Sequence, residues 1–320
     1  MKSIQSGGGN TLKNVREYSM VLVLAGFLII MQILQPKFLS PANICSILYS
    51  VSGSGIVAIG AMFVLITGGM DFTAGYGVAL CGVVGGLLYG KSGNAVVMIL
   101  GCICTGAAIG LVNGLIITKM KIKSFIATLA MMFTIQGLIY IICEGNIVFL
   151  NDPLSAFLGK GTIAGCIPVQ ALILLGMTIL AHVLLSRTRM GTYAYAIGGN
   201  EEAGRCAGIN IDKYKIMIFS FAGVCTGAAS CMMVTQVSMI SPTIGSTTLM
   251  DAIASAVIGG TSTLGGKGTA FGTLIGALII GMISNALILL YVPTNAQYLV
   301  KGAIIICALY LNKLVNMNGK

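Results

Sequence analysis

The stretch GTYAYAIGGNEEAGRCAGINIDKYKI, residues 191–216, decides how this chain is read. It is a polar island between two long apolar runs, and it gathers Glu201, Glu202, Arg205, Asp212, Lys213 and Lys215. Arg187 and Arg189 stand just ahead of it, so the island carries the basic surplus of a cytoplasmic loop between membrane spans. A connector over 186–214, roughly thirty residues, is longer than neighbouring spans need, and long loops are more often functional. Within it Asn200 can cap a short helix from Glu201 to about Ala207, with acidic residues in the first turn and Gly208 as its stop. A short, charged helix of this kind suits docking to a soluble partner. A capped surface helix with no partner would use the same residues.

Outward from the island the chain is apolar. Of 320 residues 57% are hydrophobic and 8% charged, with a mean hydropathy of +0.98, whereas a soluble domain carries about 25% charge. The composition therefore implies an all-α integral membrane protein. The net charge of +10 belongs to loops on one membrane face rather than to a nucleic-acid surface, because no basic stripe with interleaved aromatics appears. The ten cysteines lie mostly inside apolar runs and form no CxxC pair, which fits small hydrophobes better than metal or redox chemistry. His182 is the single histidine, and one histidine builds no metal site. No metal and no cofactor are expected.

The apolar segments divide the chain into a polar tail over 1–17, one membrane domain over 18–312 and a short tail over 313–320. The first span starts at Tyr18 and ends near Leu34 without a small-x-small cleavage site, so it reads as an uncleaved helix. Further segments cover 44–66, 74–89, 95–117, 125–143, 168–185, 214–236, 248–258, 269–291 and 297–312, which predicts about ten crossings. With both termini inside, the inner face receives fourteen of the eighteen basic residues; Lys37, Lys91, Lys160 and Lys301 are left outside. The asymmetry favours this orientation over its inverse.

Two crossings look short, 74–89 and 248–258, and each adjoins a glycine-rich break: TGGMDFTAG at 67–75 and GGTSTLGGKG at 259–268. Both breaks contain Gly-Gly-x5-Gly at an offset of 191, placing Gly68, Gly69 and Gly75 against Gly259, Gly260 and Gly266. Paired breaks in two halves of a transporter mark discontinuous helices near a solute path, although a chain with 44 glycines can also match by chance. Other glycines fall four apart on single helix faces: Gly82/Gly86/Gly90, Gly106/Gly110/Gly114, Gly223/Gly227 and Gly268/Gly272/Gly276. These predict close helix packing and no chemistry.

GGTSTLGGKG is not a phosphate loop. Thr261 stands where the first Walker glycine belongs and Gly268 where the hydroxyl belongs. No catalytic triad is present either, so the chain is expected not to be an enzyme. The acids at membrane depth are Asp71 in the first break, Asp251 in the short 248–258 segment and Glu144 at the end of the fifth run. Such residues are functional candidates because burying a charge in lipid is costly, and Asp71 would equally serve as a cap. All three sit near segment ends, which counts against a mid-membrane ion relay. Asn113, Gln136, Gln236, Asn285 and Asn295 can hydrogen-bond a neutral polar solute or hold helices together.

Several runs resemble the ribose-type permeases of bacterial carbohydrate-uptake ABC importers. They are GGMDFTAG (68–75), FIATLAMM (125–132), AIGGNEEAGRCAGINIDKYKI (196–216), SPTIG with MDAIASAVIGGTSTLGGKGTAFGTLIGAL (241–278), and QYLVKGAIII from 297. The resemblance extends from about Tyr18 to Leu311. It implies a multi-pass protein of the bacterial inner membrane that works as a dimer, with a second copy or a paralogue. It also implies a separate cytoplasmic ATP-binding subunit and a periplasmic or lipoprotein sugar-binding protein. On this resemblance the 186–214 loop contacts the ATPase through Asn200, Glu201, Glu202, Ala203, Arg205, Gly208 and Ile209. Gly68, Gly69, Asp71, Asp251, Gly259, Gly260 and Asn285 are the expected solute-path and gating residues. One departure is Phe72-Thr73, where relatives commonly carry a hydrophobic-Ser pair. Two alternatives stay open: a secondary carrier working alone, and a permease of this kind for autoinducer-2, a nucleoside or another sugar.

Overall fold

The structure, a computed structural model, describes residues 26, 28–143, 148–163, 165 and 167–317. The whole N-terminal tail, most of the expected first span, residues 318–320 and Glu144 lie outside the described residues. The chain is helical nearly throughout. Helix α1 (Pro41–Ile66) starts at Ser40, whose hydroxyl accepts from the Asn43 amide, with Pro41 in the first turn where its missing N–H costs nothing. Then come α2 (Ala74–Ser92), α3 (Ala95–Lys119) and α4 (Ser124–Cys143). A short helix α5 (Pro153–Lys160) is capped by Asp152, and α6 (Val169–Arg187) follows.

The polar island holds two helices, α7 (Arg189–Gly199) and α8 (Glu201–Cys206), ahead of the long α9 (Ile211–Val237). Helices α10 (Thr248–Ile258), α11 (Ala270–Leu289) and α12 (Thr294–Met317) complete the chain. Among the described residues four two-residue strands form two small antiparallel pairs. β1 (Val148–Phe149) meets β4 (Met239–Ile240), and β2 (Thr162–Ile163) meets β3 (Ile167–Pro168).

Six helices among the described residues are long and apolar enough to cross a bilayer: α1, α3, α4, α6, α9 and α11. The expected ten crossings are not reached by this count. Helix α10, with 11 residues, rises only about 16 Å, half a hydrocarbon core. Helices α1 and α9 are the central members, and their buried faces include Ile56, Ile59, Met62, Phe63, Ile218 and Phe219. Helices α3 and α4 show apolar side chains outward, such as Leu100, Leu111, Phe133 and Ile141, as lipid-facing spans must.

The glycine faces are contact surfaces, as their spacing predicts. A Cβ on Gly106 would run into the Gly223 carbonyl of α9, and one on Gly110 into the Phe219 carbonyl. Lipid is as apolar as leucine, so these spans associate through close packing, which a missing side chain permits. Gly272 and Gly276 lie the same way against the Gly259 and Ser255 carbonyls, joining α10 to α11. Gly90 departs from the pattern, because nothing stands within 4 Å of the position its Cβ would take.

The two breaks share one backbone motif, one residue away from the alignment expected from sequence. At the end of α1 the Gly68 amide donates to Leu65 at 2.9 Å and the Gly69 amide to Val64 at 3.1 Å, with Gly68 at φ +75°. At the end of α10 the Gly260 amide donates to Val257 and the Thr261 amide to Ala256, both at 2.9 Å, with Gly260 at φ +92°. The geometry therefore pairs Gly68 with Gly260 and Gly69 with Thr261. Each is a left-handed helix stop of the kind glycine favours. Gly259, the C-cap, has φ −65°, which any residue can adopt; it is a glycine because the Gly272 carbonyl lies where a Cβ would be. After each break the next helix begins at a Thr-Ala step, Thr73-Ala74 and Thr269-Ala270.

Candidate functional site

Both breaks meet at one end of the bundle, against the polar island. The Gly266 amide donates to the Ile66 carbonyl at 2.8 Å, so the second break is bonded to the last turn of α1. Gly198, at the end of α7, packs on the same place: a Cβ there would run into the Ile66 carbonyl and come within 2.6 Å of the Gly266 nitrogen. The Tyr195 hydroxyl donates to the Gly268 carbonyl at 2.6 Å. Helix α7 thus clamps α1 and the second break. Its buried residues Met190, Gly191, Ala194 and Ile197 recur three to four apart, one face of a helix. That spacing is the signal by which α7 can be found in sequence, and the expectation of a single short helix in the island omitted it.

Helix α8 follows at once and has the predicted cap. Asn200 accepts from the Ala203 amide at 3.0 Å, and the Gly208 and Ile209 amides close the other end on Arg205 and Gly204. Glu201 and Glu202 fill its first turn, where carboxylates complement the helix dipole. The two acids differ in surroundings. Glu201 is half-buried and ties α8 to α9 through Lys215 at 2.7 Å, with Arg205 at 3.5 Å on its other oxygen. Glu202, Ala203, Arg205 and Gly208 are exposed, Ile209 partly so. The exposed surface of α8 therefore carries Glu202 and Ala203, while Glu201 and Arg205 share the side turned to Lys215.

Inside the first break Asp71 acts on its own backbone. Its Oδ1 accepts from the Thr73 amide at 2.9 Å and from the Thr73 hydroxyl at 2.5 Å. Thr73 Oγ1 in turn accepts from Asn113 Nδ2 of α3 at 2.9 Å, leaving the fully buried Asn113 with an Oδ1 that has no partner among the described residues. Because its hydroxyl is engaged in this way, Thr73 does not cap α2 with its side chain. Phe72 sets its ring edge-on against Phe125 of α4 at 5.3 Å, and the Met70 amide donates to Ser124 Oγ at 3.1 Å. The first break is fastened to α3 and α4 as the second is fastened to α1 and α7.

Two expected path residues lie apart from this cluster. Asn285 and Asn43 exchange a reciprocal pair of amide hydrogen bonds, both 2.9 Å. Asn43 is in the first turn of α1, about 34 Å along that helix from the break. Asp251 pairs with Lys301 of α12 through both carboxylate oxygens, at 2.9 and 3.0 Å. Gly68, Gly69 and Asp71, by contrast, come together with the second break, whose Leu264 carbonyl lies 3.6 Å from where a Gly68 Cβ would sit.

Between the first break, the α3–α4 turn and the start of α9 lies a cleft of about 730 Å³. Its lining includes Gly68, Gly69, Lys121, Lys123, Arg205 and Lys215. The cleft is not legible in the sequence, because its walls come from segments far apart in the chain. Among the described residues no group of three His, Cys, Asp or Glu side chains is placed to hold a metal.

The chain is similar to known proteins over nearly all of its length. The family described as branched-chain amino acid transport system / permease component matches residues 43–309. The ribose import permease protein RbsC of Bacillus subtilis (strain 168) is 41% identical over 289 residues, 89% of this chain and 89% of its own. The protein of the same name from Escherichia coli (strain K12) is 37% identical over 300 residues, 92% and 93% of the two chains. The L-arabinose ABC transporter permease protein AraH of Azospirillum brasilense is 34% identical over 306 residues, 95% and 90%. No solved structure matches. With six apolar spans among the described residues and a family match across almost all of them, the chain is a multi-pass membrane protein that belongs to the permease-component family of these transport systems.

Proposed function

We propose that this chain is the membrane-spanning subunit of an ABC importer in the bacterial inner membrane and that it passes a small sugar of the ribose type inward. End-to-end similarity to permeases named for ribose and L-arabinose supports the solute class. In this reading the chain crosses about ten times with both termini in the cytoplasm. It works as a dimer with a second copy or a paralogue, receives solute from a periplasmic or lipoprotein binding protein, and takes its drive from a separate ATP-binding subunit.

The observation that carries the coupling role is the short path from α8 to both breaks. Helix α8 is capped on Asn200, and Gly198, two residues earlier, touches Ile66 and Gly266 at backbone level. A push on α8 by an ATPase would reach both helix stops without passing through flexible side chains. Glycine at Gly68 and Gly260 lets those stops change dihedral angles that other residues resist. Irregular backbone in the breaks is tolerable in a membrane only where protein or a water-filled cavity satisfies it, which is the setting of a solute path.

A secondary carrier is the less favoured reading. Asp71 is engaged with Thr73 and Asp251 with Lys301, so neither of these acids is free to relay an ion. The test is reconstitution in liposomes. Ribose uptake that needs the ATP-binding subunit, the binding protein and ATP supports the importer, while gradient-driven uptake by the purified chain alone overturns it.

A further inference from the structure

We propose that the cleft between the α3–α4 turn and helix α8 binds the phosphate headgroup of an anionic phospholipid. Four cations line it, Lys121, Lys123, Arg205 and Lys215, against two carboxylates, Glu201 and Asp212. Glu201 is already shared by Lys215 and Arg205. Lys121 and Lys123 are exposed and make no ion pair among the described residues. The cleft therefore presents net positive charge.

The neighbourhood of the lysines points to a lipid as the source of the anion. Met120, Phe125 and Ile126 stand beside them with exposures of 65%, 48% and 56%. Phe125 also lines the cleft itself. A free phosphate would gain nothing from those side chains, whereas a phospholipid would lay its acyl chains on them and its headgroup among the lysines. Basic pockets at the mouth of membrane helices, on the side rich in anionic lipid, are suited to such headgroups. The lining also takes in Gly68 and Gly69 of the first break and Arg205 of α8 with Lys215 of α9. A bound lipid would thus touch the first break and α8 together. The inference rests on the membrane placement of the chain and not on which solute it carries.

The test uses the full-length permease purified in detergent and offered phosphatidylglycerol or phosphatidylcholine, with retained lipid counted by native mass spectrometry. Wild type should retain phosphatidylglycerol preferentially. The Lys121→Gln/Lys123→Gln variant should lose that preference by about tenfold or more, given about fivefold per basic residue near a headgroup, and Lys121→Arg/Lys123→Arg should keep it. The arginine pair guards against a folding defect. Equal retention by wild type and the glutamine variant would overturn the proposal. So would displacement of the lipid by millimolar inorganic phosphate, which would assign the cleft to a soluble anion. Loss of the ATP-binding subunit in the glutamine variant, with lipid retention unchanged, would assign the cleft to subunit docking instead. Failure of sugar transport in any of these proteins leaves the lipid result standing.

Discussion

The Gly266 amide is hydrogen-bonded to the Ile66 carbonyl at 2.8 Å, and this bond joins the second glycine break to the end of the most central helix. Ile66 is the last residue of α1, so its carbonyl has no partner further along that helix. The second break supplies one from about 200 residues away. The same carbonyl is where the Gly198 backbone of α7 comes to rest. Three segments therefore meet at one backbone oxygen, and any movement of α7 must be felt by both breaks.

That contact predicts opposite fates for adjacent glycines. Gly198→Ala should fail, because its methyl would meet the Ile66 backbone, which cannot step aside as a side chain would. Overpacking of this kind costs about 1–3 kcal/mol. Uptake per assembled complex should fall at least tenfold, with a lowered melting temperature. Gly199→Ala adds a methyl with nothing within 4 Å, and it should transport at close to the wild-type rate. If both alanine variants behave alike, α7 does not clamp the breaks.

The two acids of α8 should also separate. Glu202 is exposed and makes no ion pair among the described residues, so Glu202→Arg should abolish stimulated ATP hydrolysis while the permease still assembles. Glu201→Gln removes the tie to Lys215. The pair is partly exposed, so solvent screening limits its contribution to under about 1 kcal/mol, and the expected result is a loosened α8 with partial coupling. Stimulated ATPase activity in a reconstituted complex measures both. Full stimulation in Glu202→Arg would remove α8 from the interface.

These differences show what the sequence could and could not convey. Helix positions were legible because apolar runs of about twenty residues admit little else in lipid; the expected 125–143 segment and the observed α4 agree to one residue. The Asn200 cap was legible because capping is a local bond over three residues. The register of the repeat was not. Two glycines in a row at 68–69 and 259–260 align by letter, but φ signs and hydrogen bonds pair Gly68 with Gly260. The pairing of Asn285 with Asn43, 242 positions away, is likewise invisible in sequence. The basic cleft was hidden for the same reason, since 117–125 and 201–219 become neighbours only on folding.

Orientation has a direct probe. Cys206 is native and exposed on α8, and Lys160 is exposed at the end of α5. With all other cysteines removed, Cys206 restored alone should resist an impermeant reagent added outside intact cells, and Lys160→Cys should react. The positive-inside count places them on opposite faces. Labelling of Cys206 from outside would invert the topology.

The Asp251–Lys301 pair offers the last test, because it separates a strut from a path element. Both side chains are largely withdrawn from solvent, at 17% and 18% exposure, and the pair joins the half-length helix α10 to α12. In a membrane setting a charge of either sign survives only with a partner. Asp251→Asn would leave Lys301 buried and unpaired, which costs about 3–5 kcal/mol in protein interiors. Such a loss is enough to lower assembled protein sharply. Lys301→Met should do the same by stranding Asp251. The double variant Asp251→Asn/Lys301→Met removes both charges, and its assembly should recover toward wild type, since desolvated pairs often add little net stability over an apolar replacement. Detergent-extracted melting curves measure the recovery. A strut predicts that uptake per assembled complex recovers with it; a role in the solute path predicts stable protein that does not transport. Wild-type stability in Asp251→Asn alone would show that the pair holds nothing.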